Sequence, residues 1–364
     1  MDFDFSDEQL QLREAVARWV EKGYGFERRR AIVQAGGFSR QAWQELADLG
    51  LTGLSVAEHQ GGLGMGPVEA MVVMEELGRG LVLEPLAQAL ICGHLLGHLA
   101  PNSPWLAQLI SGQALVSLAW QERRGRYRAD GCQTTATGDR ITGIKSLIPV
   151  GDQADAFVVS ARQGDRLALF AVAADAPGLS LQGYGTQDGS RAAELHMKNT
   201  PAQLLTADGL AALQEALDIG AACACAEGVG AMEQSLAITC DYMKQRQQFG
   251  VAIASFQALR HRVADMKMQL ELARSMSYYA CLKLQASPQE RAQAVARAKV
   301  QLGQSMRFVG QQSVQLHGGI GVTDEYIISH YFKKLTQLEL SFGDTLHHLG
   351  QVSERMQETA GVFS

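Results

Sequence analysis

The 364-residue sequence has no uninterrupted apolar stretch long enough to cross a bilayer, no excess of basic residues, and no cysteines at zinc-ribbon or C-x-x-C spacing. The first absence argues against a membrane anchor. Met1 to Leu10 is acidic, with no basic region followed by an apolar run, so no signal peptide is expected and the expected location is cytoplasmic. A formal net charge of −6 removes any global attraction for nucleic acid. Phosphate-bearing cofactors stay open, because they need only a few local arginines or backbone N–H groups. The six cysteines, Cys92, Cys132, Cys223, Cys225, Cys240 and Cys281, lie mostly in Ala-rich surroundings and read as buried free thiols. Charged residues make up only 19% against 46% hydrophobic, which leaves little room for long disorder and enough core for two or three domains.

What is present has two periodicities. Up to about residue 113 the pattern is helical. Ser6 caps a segment in which Leu12, Val16, Trp19 and Val20 share a face; Ser39 precedes Trp43 and Leu46; Pro67 opens a run with Met71, Met74 and Leu77 at helical spacing. From 114 to about 206, short apolar runs (115–120, 141–150, 157–161, 167–172) alternate with turns and predict strands. After Pro201 the helical period returns, around 209–246, 257–286, 288–317 and 344–360. The expected fold class is therefore α+β, mainly α: an N-terminal helical domain (1–113), a middle β-domain (114–206) and a C-terminal helical bundle (207–364). Internal repeats and low-complexity segments are absent from the sequence.

Against that background several separated motifs stand out in order: Glu58 to Gly64; Arg246-Gln247-Gln248-Phe249-Gly250; Phe256-Gln257; Gln315-Leu316-His317-Gly318-Gly319-Ile320-Gly321; and Asp324-Glu325-Tyr326. Together they resemble the acyl-CoA dehydrogenase family over essentially the whole chain. Within it the likeness is to a branch whose enzymes pair two related subunits, namely the small subunits of pimeloyl-CoA dehydrogenases. The resemblance implies a C-terminal four-helix bundle and FAD as cofactor. It also implies that Arg246, Phe249, Gln257, Gln315, Gly318 and Gly319 bind the adenosine half of a neighbouring subunit's FAD. The residue chemistry suits that role: a permanent guanidinium for pyrophosphate, an aromatic ring, two amides that donate and accept, and glycines that let backbone N–H groups approach a phosphate. Each feature alone also has a plain reading, with Arg246 in a surface ion pair and the glycines ending a helix.

Dehydrogenation of an acyl thioester requires a carboxylate for the α-proton opposite the flavin face. At the two positions where the resemblance places that Glu, this chain has Phe342 and Gly220, so the catalytic base is unknown. Asp218 matches a substrate-contact position, but the family's following Arg is Ala221. Glu215, Glu227 and Glu339 are carboxylates that could substitute, or that serve as surface and network acids. The family's flavin-lining segment becomes Trp120 to Arg126, keeping only Glu122, and its Trp-Ile-Thr strand becomes Leu147-Ile148-Pro149. Pro149 has neither hydroxyl nor N–H to offer. The arginines at 123, 124, 126 and 128 suit CoA phosphates, a dicarboxylic tail, an acidic partner or a solvated loop, and Arg28 to Arg30 read as an exposed helix end. His94 and His98 have metal-pair spacing but no third ligand, so no metal is expected. Gly61 to Gly66 lacks a βαβ setting and reads as a loop.

The implied activity is FAD-dependent oxidation of an acyl-CoA, including a dicarboxylyl-CoA such as pimeloyl-CoA, to the 2,3-enoyl-CoA, with an electron-transfer flavoprotein as acceptor. The alternative is a noncatalytic partner that completes the FAD site of a related subunit. Oxidase or monooxygenase chemistry is a third option. The expected assembly is a homo-oligomer or a heterotetramer, without nucleic acid or membrane.

Overall fold

The computed structural model describes residues 5–359. Its helices are α1 (Asp7–Gly23), α2 (Phe26–Gln34), α3 (Arg40–Asp48), α4 (Pro67–Arg79), α5 (Leu86–Leu99), α6 (Pro104–Ile110), α7 (Leu210–Gln245), α8 (Gln257–Lys283), α9 (Pro288–His317), α10 (Ile327–Leu340) and α11 (Thr345–Thr359). Between α6 and α7 run the strands β1 (Val116–Ala119), β2 (Thr135–Thr137), β3 (Arg140–Pro149), β4 (Ala156–Gln163), β5 (Arg166–Ala173), β6 (Leu179–Gly185), β7 (Arg191–Pro201) and β8 (Gln203–Thr206). Helix starts follow the capping signals of the sequence. Ser6 accepts from the Gln9 backbone while the Gln9 side chain returns to the Ser6 N–H, and the Ser39 and Ser287 hydroxyls cap α3 and α9 by accepting from the Ala42 and Glu290 N–H groups. No helix among the described residues is long and apolar enough to span a membrane.

The chain divides into two compact units. One comprises residues 30–66 and 83–220 and is organised by an eight-stranded sheet ordered β6-β7-β3-β2-β4-β5-β8, with β1 parallel to β4. Strands β4 and β5 pair without a slip from Ala156↔Ala173 to Gln163↔Arg166, and most of their side chains are buried on both faces. Helix α5 is almost wholly apolar and buried, and Gln88 on it accepts a hydrogen bond from the Leu118 N–H of β1. Strand β3 carries a bulge against β7 between Lys145 and Ile148.

The other unit comprises residues 1–29, 67–82 and 221–364. Here α8 and α9 form an antiparallel hairpin, pinned by Arg262 to Gln312 (3.0 Å) and Ser305 to Gln269 (2.8 Å). That register puts Gln257, the first residue of α8, at the same end as His317, the last of α9. Helices α4 and α7 cross at backbone contact. A Cβ on Gly78 would overlap the Glu227 carbonyl, and one on Gly230 would overlap the Glu75 carbonyl. Around this crossing Glu75, buried with Arg13 at 2.8 Å and Arg274 at 3.4 Å, is pushed up to about 7, chiefly by burial and against the pull of both arginines.

Arg29 departs from the exposed helix end expected of Arg28 to Arg30. It is buried, donating from Nε to the Leu81 carbonyl (3.0 Å) and facing His330 Nδ1 at 2.9 Å, because the chain around Leu81 offers carbonyls that need a donor.

Replacing Gly230 by Ala should cost about 3 kcal/mol, since two helix backbones must separate. Gly350, within α11 and with nothing near its would-be Cβ, is the control: Gly350→Ala should stabilise by about 0.5 kcal/mol or be neutral. Urea unfolding of the two variants decides it; a Gly230→Ala protein as stable as the parent would remove the close crossing.

Candidate functional site

The motif residues gather at one end of the helical unit. After Tyr242, in the last turn of α7, Arg246 opens a short hairpin (Gln247–Gln248 against Val251–Ala252) that the Arg246 carbonyl closes by accepting from the Ile253 N–H at 2.8 Å. Phe249 sits at its tip with φ 54° and is 93% exposed, touched edge-on by Phe256 at a ring separation of 6.1 Å. Gln257 follows at the exposed start of α8. An apolar ring held on a strained, solvent-facing turn is left uncovered by its own chain.

The second segment meets the first through an aromatic stack. His317 lies 4.3 Å from the Tyr242 ring in parallel arrangement and 5.2 Å from Tyr326, and the Tyr242 hydroxyl donates to the His317 carbonyl (3.2 Å). His317 is buried and donates from Nδ1 to the Ser313 carbonyl (2.7 Å), which sets its tautomer; burial holds its pKa down and keeps it neutral. Directly after it, Gly318 takes φ 64°, ψ −140°, a conformation in which a side chain is strained, and both Gly318 and Gly319 face open space. Gln315 is exposed one turn earlier. Arg246, Phe249, Gln257, Gln315, Gly318 and Gly319 thus line one exposed end, joined by Tyr242–His317. Sequence reasoning missed Tyr242 and His317 as the link, because an aromatic at the end of a helix carries no signal of its partner.

The position expected for a base is different in kind. Phe342 is half-buried against the helical core with φ 57°, and Gly343 follows with φ 114°, where a Cβ would strike His348. Lys299 is fully buried and donates to the carbonyls of Leu338, Glu339 and Ser341 at 2.8–3.1 Å, capping α10; burial pushes it down to about 8. The Phe342 carbonyl accepts from His348 Nε2 at 3.1 Å. These hydrogen bonds hold the shape of the loop.

The three substitute carboxylates are also engaged. Glu339 accepts from the Thr345 N–H and hydroxyl (3.0 and 2.6 Å), Glu227 pairs with Lys334 at 2.5 Å, and Glu215 lies 3.5 Å from His94. Gly220 is buried within α7.

In the sheet unit, Glu122 is buried and accepts from the Thr134 N–H and hydroxyl, the Gln133 N–H and Lys145 Nζ (2.8 Å). Burial would raise its pKa, but Lys145 and these donors bring it down to about 2. Lys145, with no exposed surface, also donates to Ser160 and contacts Cys132. Of the arginine run, Arg123 pairs with Glu194 (2.6 Å), Arg128 with Asp130 (3.1 Å), and Arg126 lies over the Tyr127 ring. The His94 and His98 rings lie 4.3 Å apart at a tilt of 42°, and among the described residues no group of three or more His, Cys, Asp or Glu side chains converges for a metal.

With this geometry in view, comparison with known proteins is informative. The family profile described as acyl-CoA dehydrogenase, N-terminal domain, matches residues 6–113, and the corresponding C-terminal domain profile matches 207–357. Acyl-CoA dehydrogenase IpdE2 of Mycobacterium tuberculosis is 30% identical over 333 residues, covering 90% of this chain and 91% of its own. The chain belongs to the acyl-CoA dehydrogenase family. Family members are flavin-dependent oxidoreductases that bind FAD and oxidise acyl-CoA. Among solved structures, the ChsE4–ChsE5 complex of Mycobacterium tuberculosis superposes with a TM-score of 0.91 at 26% identity, covering 99% of this chain and 100% of the other. A structure described as the electron transferring flavoprotein of Acidaminococcus fermentans gives 0.90 at 26%, covering 98% and 99%. Whether the residues here fit FAD depends on which half of it is considered. The exposed Arg246–Gly319 end fits a nucleotide, with an open glycine cradle and an uncovered ring. The Leu147–Pro149 stretch does not fit a flavin ring: Pro149 ends β3 without an N–H, and the bulge carries Leu147 out to half exposure.

Glu122→Gln should destabilise the chain by about 3 kcal/mol at pH 7, because Lys145 then stays buried beside a neutral amide. The folded-state pKa of Glu122 lies below the unfolded value, so its contribution is present above about pH 4.5 and lost as pH falls towards 2. The gap between parent and variant, followed by denaturant unfolding, should therefore shrink in that window; a gap independent of pH would count against the pair.

Proposed function

We propose that the chain is one subunit of a heteromeric FAD-dependent acyl-CoA dehydrogenase, in which it completes the cofactor site of a related catalytic subunit and does not itself remove the α-proton. One observation carries this reading: the motif residues gather at one exposed end with open glycines, while Phe342 and Gly220 stand at the two positions expected for the base and the Phe342 loop is locked by Lys299 and His348. When bound, FAD supplies the two-electron acceptor for the β-hydrogen of an acyl thioester. Arg246 would meet the pyrophosphate, Gly318 and Gly319 would let backbone N–H groups approach it, and Phe249 with the Gln257 and Gln315 amides would hold the adenosine.

The likeness to a heteromeric complex of two named chains supports a two-subunit assembly, and the likeness to an electron-transferring flavoprotein structure supports such a protein as acceptor. The pimeloyl-CoA dehydrogenase resemblance supports a dicarboxylyl-CoA substrate for the assembly. The profile boundaries at 113 and 207 support three sequence domains meeting near those residues.

Purified alone, the chain should be colourless and inactive; co-purified with its catalytic partner it should give fewer flavins than subunits and full acyl-CoA turnover. In that heteromer Arg246→Gln should weaken FAD binding about tenfold or more, as expected for a lost charged hydrogen bond. A yellow, active isolated chain overturns the proposal.

A further inference from the structure

His330, near the start of α10, belongs neither to the platform nor to the positions expected for a base, yet its two ring nitrogens are committed to two different segments of the helical unit. Nδ1 lies 2.9 Å from Arg29 Nη1, and Nε2 lies 2.9 Å from the Asp324 carbonyl oxygen. A guanidinium can only donate and a carbonyl can only accept, so Nδ1 is the bare nitrogen and Nε2 carries the proton. Both contacts hold at once only for a neutral ring in that tautomer. Arg29 has little freedom to adapt, being buried and already donating from Nε to the Leu81 carbonyl at 3.0 Å.

The surroundings oppose a second proton on the ring. The charged groups that face it are Arg29 from α2, Lys333 from its own helix and Asp324, whose carboxylate is taken up by Lys333 Nζ at 2.5 Å. Phe26 closes one side edge-on, at a ring separation of 5.1 Å. Towards α4, the Tyr331 hydroxyl occupies the Arg79 carbonyl at 2.5 Å, and the Arg79 guanidinium turns to Glu76 and Glu233. The first turn of α10 adds the positive end of a helix dipole. Burial first, then Arg29 and Lys333, hold the His330 pKa below its ordinary value, against the pull of Asp324. A proton on Nδ1 would set two N–H donors and two positive charges against each other, and with Arg29 anchored it is the imidazole that leaves, releasing the Asp324 carbonyl. That carbonyl begins the corner Asp324-Glu325-Tyr326. Its other ties are the Lys333–Asp324 pair, with Asp324 largely exposed, and the Ser329 N–H and hydroxyl on the Tyr326 carbonyl at 3.3 and 3.2 Å. The Tyr326 ring reaches His317 at 5.2 Å and Tyr242 at 6.3 Å. We propose that His330 is a pH-operated latch: neutral, it ties Arg29 to this corner and holds Tyr326 against the Tyr242–His317 pair; protonated, it lets the corner go.

The fold favours the neutral ring, so the latch is closed above the ordinary histidine value of 6.5 and opens as pH falls below it. It is a property of the chain alone, and its test uses the full chain without flavin or partner, so that a failure of the heteromer reading would leave it untouched. Nitrogen NMR of the histidine-labelled parent at about pH 8 should show His330 protonated on Nε2 and bare on Nδ1, with a titration midpoint below the ordinary histidine range. Hydrogen exchange, corrected for its intrinsic pH dependence, should be about fivefold or more faster across residues 320–327 at about pH 5 than at about pH 8. In His330→Asn, which offers Arg29 a carbonyl that does not titrate and leaves His317 in place, this acid-induced loss should disappear. A proton on Nδ1, a midpoint at or above the ordinary range, equal protection at the two pH values, or the same loss in the variant would each overturn the latch. The NMR measurement needs no variant and decides the tautomer even where His330→Asn fails to fold.

Discussion

The helical unit depends on the backbone contact between α4 and α7. Gly78 and Gly230 allow each helix to rest on the other's carbonyls, and no side chain larger than hydrogen fits at either point. With that crossing fixed, the course of α7 is fixed, and Tyr242 and Arg246 at its far end fall where they do. Tyr242 then meets His317, and the two motif segments, some seventy residues apart in sequence, become one surface. A helix of 36 residues is about 54 Å long, so a small change of tilt at the crossing is magnified at its end. Close packing at glycine is what turns two separate motifs into a site.

Some of the buried charges show a second regularity, in that they close a backbone deficit. Lys299 caps the carbonyls at the end of α10, Arg29 serves the carbonyl of Leu81, and Glu122 gathers N–H groups from the Gln133–Thr134 turn while holding Lys145. Burying such groups is costly and worthwhile only where several hydrogen bonds form at once. This is why neither Lys299 nor Glu122 is available for proton transfer. A carboxylate at about pKa 2 beside a buried ammonium is a weak base, and a lysine donating to three carbonyls has no lone pair to offer.

Much of this was legible in the sequence, because it follows from local rules. The Ser6, Ser39 and Pro67 helix starts, the apolar runs of β3, β4 and β5, and the long helices after Pro201 all express capping or periodicity. Helix α10 was not read, since Ile327 to Leu340 mixes lysines and aromatics, and its apolar face shows only against α9. Strand β6 was obscured by its glycines and polar residues, and β7 by the charged and polar residues interleaved among its buried positions. The family motifs marked the platform residues, but Tyr242–His317 and the Ser146–Leu147 bulge depend on pairing across elements, for which one sequence contains no local mark.

The two halves of the cofactor question now have different physical answers. Losing a flavin-lining hydroxyl or a catalytic carboxylate leaves the fold intact, because neither supports the core; Phe342 packs half-buried against the helical core. Losing Gly318 or the Tyr242–His317 stack would disturb the end of α9 as well as the platform. A chain freed from catalysis but still needed by a partner would shed the first kind of residue and keep the second, and so would a chain in which only folding matters. Arg246 and Phe249 separate these cases. Both are exposed and strain or charge the surface, neither contributes to the core, and a ring 93% exposed on a left-handed turn is unfavourable for an isolated subunit. Folding alone gives no reason for that arrangement, whereas the proposed sharing of a nucleotide with a neighbouring subunit would.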